Sequence, residues 1–139
     1  MKYGVLNLKN ERTGVASCQR YGKSYFVLRD KARARCTFTN GNSSKSTSAH
    51  RIGTLQFCFH VLNTLSSEEL KDTMMAALKE EGSTYRNVQY KEVQIHGPVE
   101  FTKDISEICI SQSEVEEDDE NFTRILEFIQ KHGIKYTFF

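Results

Sequence analysis

Polar and apolar positions alternate along Tyr90-Lys91-Glu92-Val93-Gln94-Ile95-His96, which predicts a strand. Side chains of a strand point to opposite faces in turn. Tyr90, Glu92, Gln94 and His96 therefore share one face, and Val93 and Ile95 share the other. Two-residue periodicity, or a density of aromatic and β-branched residues, predicts further strands over residues 3–8, 24–28, 35–39, 107–111 and 134–139. The last ends in Thr137-Phe138-Phe139 and is expected to dock in a sheet, because a free tail that apolar would be a liability.

The period changes to that of a helix in two places. Ser66-Ser67-Glu68-Glu69 has the form of a capping box, with Ser66 as the cap and Glu69 three residues on. Leu70, Met74, Ala77 and Leu78 then make one apolar stripe, which predicts an amphipathic helix over 67–81 with the stripe in the core. Phe122, Ile125, Leu126 and Ile129 predict a second helix, stopped at His132-Gly133. Residues 53–62 fit strand or helix, with helix favoured in part. Residues 29–34 and 102–105 read as helical turns, Gly97-Pro98 as a bend, 40–50 as a polar loop and 114–120 as a solvated acidic loop. The sum is one α+β domain over residues 1–139, a mixed, mainly antiparallel sheet with two amphipathic helices.

Composition adds limits. A chain of 139 residues with 38% hydrophobic and 27% charged positions can bury a real core. No apolar run is long enough to cross a bilayer and the N-terminus lacks a signal-peptide core, so an intracellular, cytoplasmic protein is expected, with a secreted effector left open. Cys18, Cys36, Cys58 and Cys109 are scattered without a Cys-x-x-Cys pair. Buried free thiols at Cys36, Cys58 and Cys109 are the default, and no metal site is expected. The net charge of +1 hides a polarity: residues 1–60 carry eleven Lys/Arg against two Asp/Glu, and residues 61–139 eight against sixteen. The basic half could attract a pyrophosphate or nucleic acid, or the two halves could pair across the fold.

Phosphate loops, nucleophile elbows and metal-spaced His/Cys clusters are absent, which leaves Glu92 as the best candidate for chemistry. A glutamate in mid-strand, flanked by apolar residues, has a direction fixed by packing. Such a carboxylate can orient a ribose hydroxyl or stabilise the positive charge that develops on a sugar ring as its leaving group departs. Taken alone, a strand glutamate is more often structural.

Tyr90-Lys91-Glu92-Val93 resembles the Tyr-x-Glu signature on the catalytic strand of the ADP-ribosyltransferase fold, as in poly-ADP-ribose polymerases. More of the chain is similar to a largely microbial domain family of unknown function in the ADP-ribosyltransferase-like class. The similarity runs in order through Lys2-Tyr3-Gly4-Val5-Leu6-Asn7-Leu8, Arg20-Tyr21-Gly22-Lys23-Ser24-Tyr25-Phe26-Val27-Leu28-Arg29, Cys36-Thr37-Phe38-Thr39-Asn40-Gly41-Asn42-Ser43 and Glu92-Val93-Gln94-Ile95-His96-Gly97-Pro98. The resemblance implies an ADP-ribosyltransferase-like core that consumes NAD as substrate and passes ADP-ribose to an acceptor macromolecule or to water. In that reading Glu92 holds the ribose 2′-hydroxyl, Tyr90, Gln94 and His96 line the same cleft, and Arg20 or Arg29 serves the pyrophosphate.

The resemblance also implies an upstream strand with Arg or His, and a second strand element with Ser-Thr-Ser or Tyr, much of it expected before residue 1. Ser46-Thr47-Ser48 falls in a polar loop and is read as coincidence. The chain is then a fragment or minimal version, or draws on its basic half, or has lost catalysis. Two rival readings are non-enzymatic. Arg29, Lys31, Arg33 and Arg35 beside Tyr25, Phe26 and Phe38 could bind single-stranded nucleic acid, and the acidic residues 114–120 could contact a protein partner.

Overall fold

The computed structural model of the chain describes residues 1–45, 51–78, 90–117 and 119–139. Its alternating segments pair into two sheets. In the first, β1 (Lys2–Val5) and β3 (Cys36–Asn40) flank β5 (Lys91–Ile95), with β4 (Ile52–Thr54) beyond β3 and every pairing antiparallel. In the second, β6 (Ile105–Ile110) lies between β2 (Tyr25–Leu28), antiparallel to it, and β7 (Lys135–Phe138), parallel to it. The α+β class follows. A parallel neighbour requires a crossover, and the chain between β6 and β7 supplies one as α4 (Gln112–Glu117) and α5 (Asp119–His132).

Register explains the first core. Phe38 lies opposite Val93 and Cys36 opposite Ile95, so the apolar halves of two alternating strands meet on one face. Val61 of α1 (Phe59–Leu62) completes the cluster. Gly53 is required there, because a Cβ at that position would come within 2.9 Å of Val61 Cγ2. The second core joins Ile105, Ile108 and Ile110 of β6 to Ile129 of α5 and to Ile134. Each such isoleucine stabilises the fold by about 1.5–3 kcal/mol. Leu28 and Val99 touch both clusters and tie the sheets together.

The capping box forms as its sequence predicts: Glu69 N donates to Ser66 Oγ (3.2 Å) and Ser66 N to Glu69 Oε2 (3.3 Å). α2 covers Ser67–Ala77, and residues 79–81 of the expected helix lie outside the described residues. Its stripe departs from expectation. Met74 and Leu78 are 57% and 67% exposed, while Glu69 is buried. The helix is held to the body by charge, through Glu69 Oε1 on Lys91 Nζ (2.9 Å) and Asp72 on Lys9 (3.7 Å). Lys91 falls on the apolar side of β5 and is only 4% exposed, so it needs that carboxylate.

The acidic segment is also not the expected loop, since residues 112–117 and 119–132 are helical. Glu114 is anchored rather than solvated. Its oxygens accept the Lys23 amide (2.6 Å), the Ser24 amide (2.8 Å) and the Ser24 hydroxyl, which together hold its carboxyl below the usual range, the Lys23 amide most strongly. Acidic residues at the start of α5 also suit the positive end of a helix. The expected helical turns, the Gly97 bend and the end of the second helix are met with shifted ends, while residues 46–50 of the expected polar loop lie outside the described residues. Residues 30–35 form a 3-10 turn, Gly97 turns with φ 82°, α3 (Phe101–Asp104) is a single turn, and Gly133 ends α5 with φ 60°. Ambiguous residues 53–62 divide between β4 and α1. Cys36 and Cys109 are buried free thiols as expected, whereas Cys58 is half-buried.

Candidate functional site

β5 is a central strand, so Glu92 does not sit on a sheet edge. Thr39 of β3 lies opposite Glu92 and Thr37 opposite Gln94. The polar halves of the two strands therefore meet on the face away from the first core. Tyr3 and Val5 of β1 extend that face on the other side, opposite Gln94 and Glu92.

The side chains form one connected set. Gln94 Nε2 donates to Glu92 Oε1 (3.0 Å) and to Thr39 Oγ1 (3.3 Å). Thr37 Oγ1 donates to Gln94 Oε1 (3.0 Å) and lies 3.0 Å from His96 Nε2. Thr39, fully buried, gives its own proton to the Gly41 carbonyl (2.8 Å). The Ser43 amide adds a second bond to Glu92 Oε1 (3.2 Å). Both bonds to the carboxylate fall on one oxygen. Among the described residues Oε2 accepts none, and no cation pairs with Glu92. A half-buried carboxylate fixed through one oxygen leaves its other oxygen geometrically available to a ligand.

Each end of β5 carries a guanidinium. At the first, the 3-10 turn Ala16–Tyr21 brings Arg20 and Tyr21 within electrostatic range of Tyr90. Burial raises the Tyr90 phenol most; Glu92 and Tyr21 raise it further, Arg20 opposes them and Cys18 adds a smaller upward push. Arg20 is itself oriented by Tyr21, donating to its hydroxyl (2.8 Å) and stacking on its ring at 4.8 Å. At the other end the cation is Arg35. It donates to the carbonyls of His96 (3.1 Å) and Pro98, and pairs with Asp104 at 2.7 Å. The Glu100 amide and then Arg35 hold the Asp104 carboxyl below its usual range.

Tyr90, Glu92, Gln94 and His96 thus share one face, and Arg20 lies within electrostatic range of its Tyr90 end. Arg29 lies elsewhere. It follows β2 of the second sheet, where its amide donates to the Asp104 carbonyl (2.7 Å), and among the described residues no contact carries its side chain to Glu92. Ser46-Thr47-Ser48 lies outside the described residues. Sequence reasoning passed over Thr37, Thr39 and the Ser43 amide. The threonines had a signal, because Cys36-Thr37-Phe38-Thr39 repeats the alternation of β5 and would set hydroxyls opposite Gln94 if the two strands paired. The Ser43 amide had none.

The basic-aromatic grouping is split: Arg29, Lys31, Arg33 and Phe26 are exposed, but two of its members are engaged elsewhere. Phe38 is in the first core, and Arg35 is committed to the His96–Pro98 turn. Tyr25 donates its hydroxyl to the Arg12 carbonyl (2.8 Å), while Phe26 packs edge-on against Phe101. Among the described residues no group of three or more His, Cys, Asp or Glu gathers at metal-binding range, and no helix is long and apolar enough to cross a membrane.

Fold and face together define an α+β protein with a carboxylate held in mid-sheet by a neutral hydrogen-bond network. The chain belongs to the family described as protein of unknown function (DUF3626), whose model matches residues 1–89. That match takes in Thr37, Thr39 and the Ala16–Tyr21 turn and ends one residue before Tyr90. No curated protein matches the chain.

Proposed function

We propose that this face is an ADP-ribosyltransferase site that cleaves NAD, with Glu92 as its catalytic carboxylate. The observation that carries the reading is a Glu92 fixed through Oε1, whose Oε2 accepts no bond among the described residues. In the reaction the bond between the ribose C1′ and the nicotinamide nitrogen breaks, and its electron pair leaves with nicotinamide, cancelling the positive charge of the ring. Positive charge grows on C1′ and the ring oxygen. Glu92 Oε2 accepts the ribose 2′-hydroxyl, and its negative charge stabilises that developing cation. An acceptor nucleophile, or water, then bonds to C1′ and releases its proton to solvent. Tyr90 and His96 line the cleft, and Arg20, at the Tyr90 end, is the cation for the pyrophosphate in preference to Arg29.

The test is nicotinamide release from labelled NAD. Wild type is expected to turn over, with Glu92→Gln slower by about 10²–10³-fold, the scale of losing one electrostatic contact to a transition state. Equal rates for the two proteins, or no turnover by wild type, would sink a catalytic Glu92. A salt-sensitive complex with an oligonucleotide, without NAD binding, would put a binding module in its place.

A further inference from the structure

The network has a direction that can be read proton by proton. Thr37 has a single hydroxyl hydrogen, and it goes to Gln94 Oε1. The 3.0 Å contact with His96 is then donated by Nε2–H, which makes Nδ1 the open ring nitrogen. Gln94 cannot be turned over, because its carbonyl would then face the Glu92 carboxylate. Thr39 agrees, since its proton is spent on the Gly41 carbonyl and its oxygen can only accept from Gln94. The chain therefore runs from His96 through Thr37 and Gln94 to Glu92.

We infer that Thr37 and Gln94 are positioning residues, joining His96 and Glu92 so that one ring nitrogen, Nδ1, and one carboxylate oxygen, Oε2, are left open on the same face. The catalytic part of this inference rests on the NAD reading above; the joining of the two side chains does not. An amide in the middle makes the chain an orienting device, because Gln94 would have to become an imidic acid to pass a proton along it. The backbone reinforces the arrangement at the His96 end, where the His96 amide donates to the Arg35 carbonyl (2.9 Å) and Arg35 grips the His96 carbonyl in return.

Thr37→Val keeps the shape of the side chain and removes its proton and acceptor, and Thr37→Ser restores both. The experiment follows the imidazole nitrogens of His96 by NMR at about pH 8, above the ordinary imidazole pKa of about 6.5, and in parallel measures kcat and KM for NAD cleavage. The expected result is a single Nε2–H tautomer in wild type and Thr37→Ser, and a mixture in Thr37→Val. With it, kcat falls about tenfold in Thr37→Val while KM holds within about twofold, as for a group acting in the transition state. A tautomer that ignores Thr37→Val overturns the joining, and a kcat that ignores it overturns the positioning role. A tautomer shift in a protein that does not cleave NAD supports the joining and removes the catalytic reading instead.

Discussion

The two sheets offer a comparison between two glutamates, each half-buried on a central strand and each bonded to polar side chains beside it. Glu107 of β6 spends both oxygens. Lys135 reaches Oε2 at 2.9 Å, and the Thr137 hydroxyl reaches Oε1 at 2.8 Å. These bonds, that of Lys135 first, hold its carboxyl below the usual range. Among the described residues Glu92 of β5 meets only neutral donors, and both fall on one oxygen. Mid-strand position and half-burial are common to the two residues, so neither property marks a site. What separates them is whether a counter-ion and both oxygens are already taken.

The largest effect expected from this difference is on rate. Glu92→Gln should lower nicotinamide release by about 10²–10³-fold, and Glu107→Gln should leave it within about twofold. Parallel losses in the two variants would erase the distinction. Next comes stability. Lys91→Met removes the cation that lies 2.9 Å from the buried Glu69 carboxylate and should cost about 3 kcal/mol in urea unfolding. Lys135→Met removes a 68%-exposed partner of Glu107 and should cost less than about 1 kcal/mol. Comparable costs would show that burial does not set the strength of these pairs.

A smaller effect sharpens the electrostatic side. Gln94→Glu sets a second carboxylate against Glu92, and like charges disfavour ionisation. The acidic limb of the NAD-cleavage profile should then move up by about one pH unit, while Thr137→Val beside Glu107 leaves it in place. The smallest effect is in acid. Because the folded Glu107 carboxyl lies below its ordinary value, its contribution to stability is complete above the usual glutamate pKa of about 4.3 and fades as pH falls through the lowered one. Urea midpoints of wild type and Glu107→Gln should therefore converge on acidification from pH 6 to pH 3. A gap that widens instead would reverse the sign.

Much of this arrangement was legible locally. Alternation alone put Glu92, Gln94 and His96 on one face, the capping box marked the start of α2, and Gly133 marked the end of α5. These depend on neighbours in the chain. What escaped depends on residues far apart in it. The pairing of β3 with β5 sets Thr37 and Thr39 against Gln94 across more than fifty residues. The Glu69–Lys91 pair turned α2 so that Met74 and Leu78 face outward, against the prediction of a buried stripe. The Lys23 and Ser24 amides hold Glu114, about ninety residues away in the chain, within a segment that is helical and not a loop. Arg20 and Arg29 looked equivalent as basic residues, and only the division into two sheets separated them.

The buried Lys91–Glu69 contact has one more consequence, for the assembly of the sheet. A strand that slips by one residue exchanges its faces. For β5, the slip would drive Glu92 and Gln94 into the space of Val93 and Ile95 and turn Lys91 away from Glu69. A 2.9 Å contact between two buried charges would be lost in a single misstep. The pair thus works as a key for strand register, rejecting the misaligned chain and guaranteeing which way the neighbouring glutamate faces.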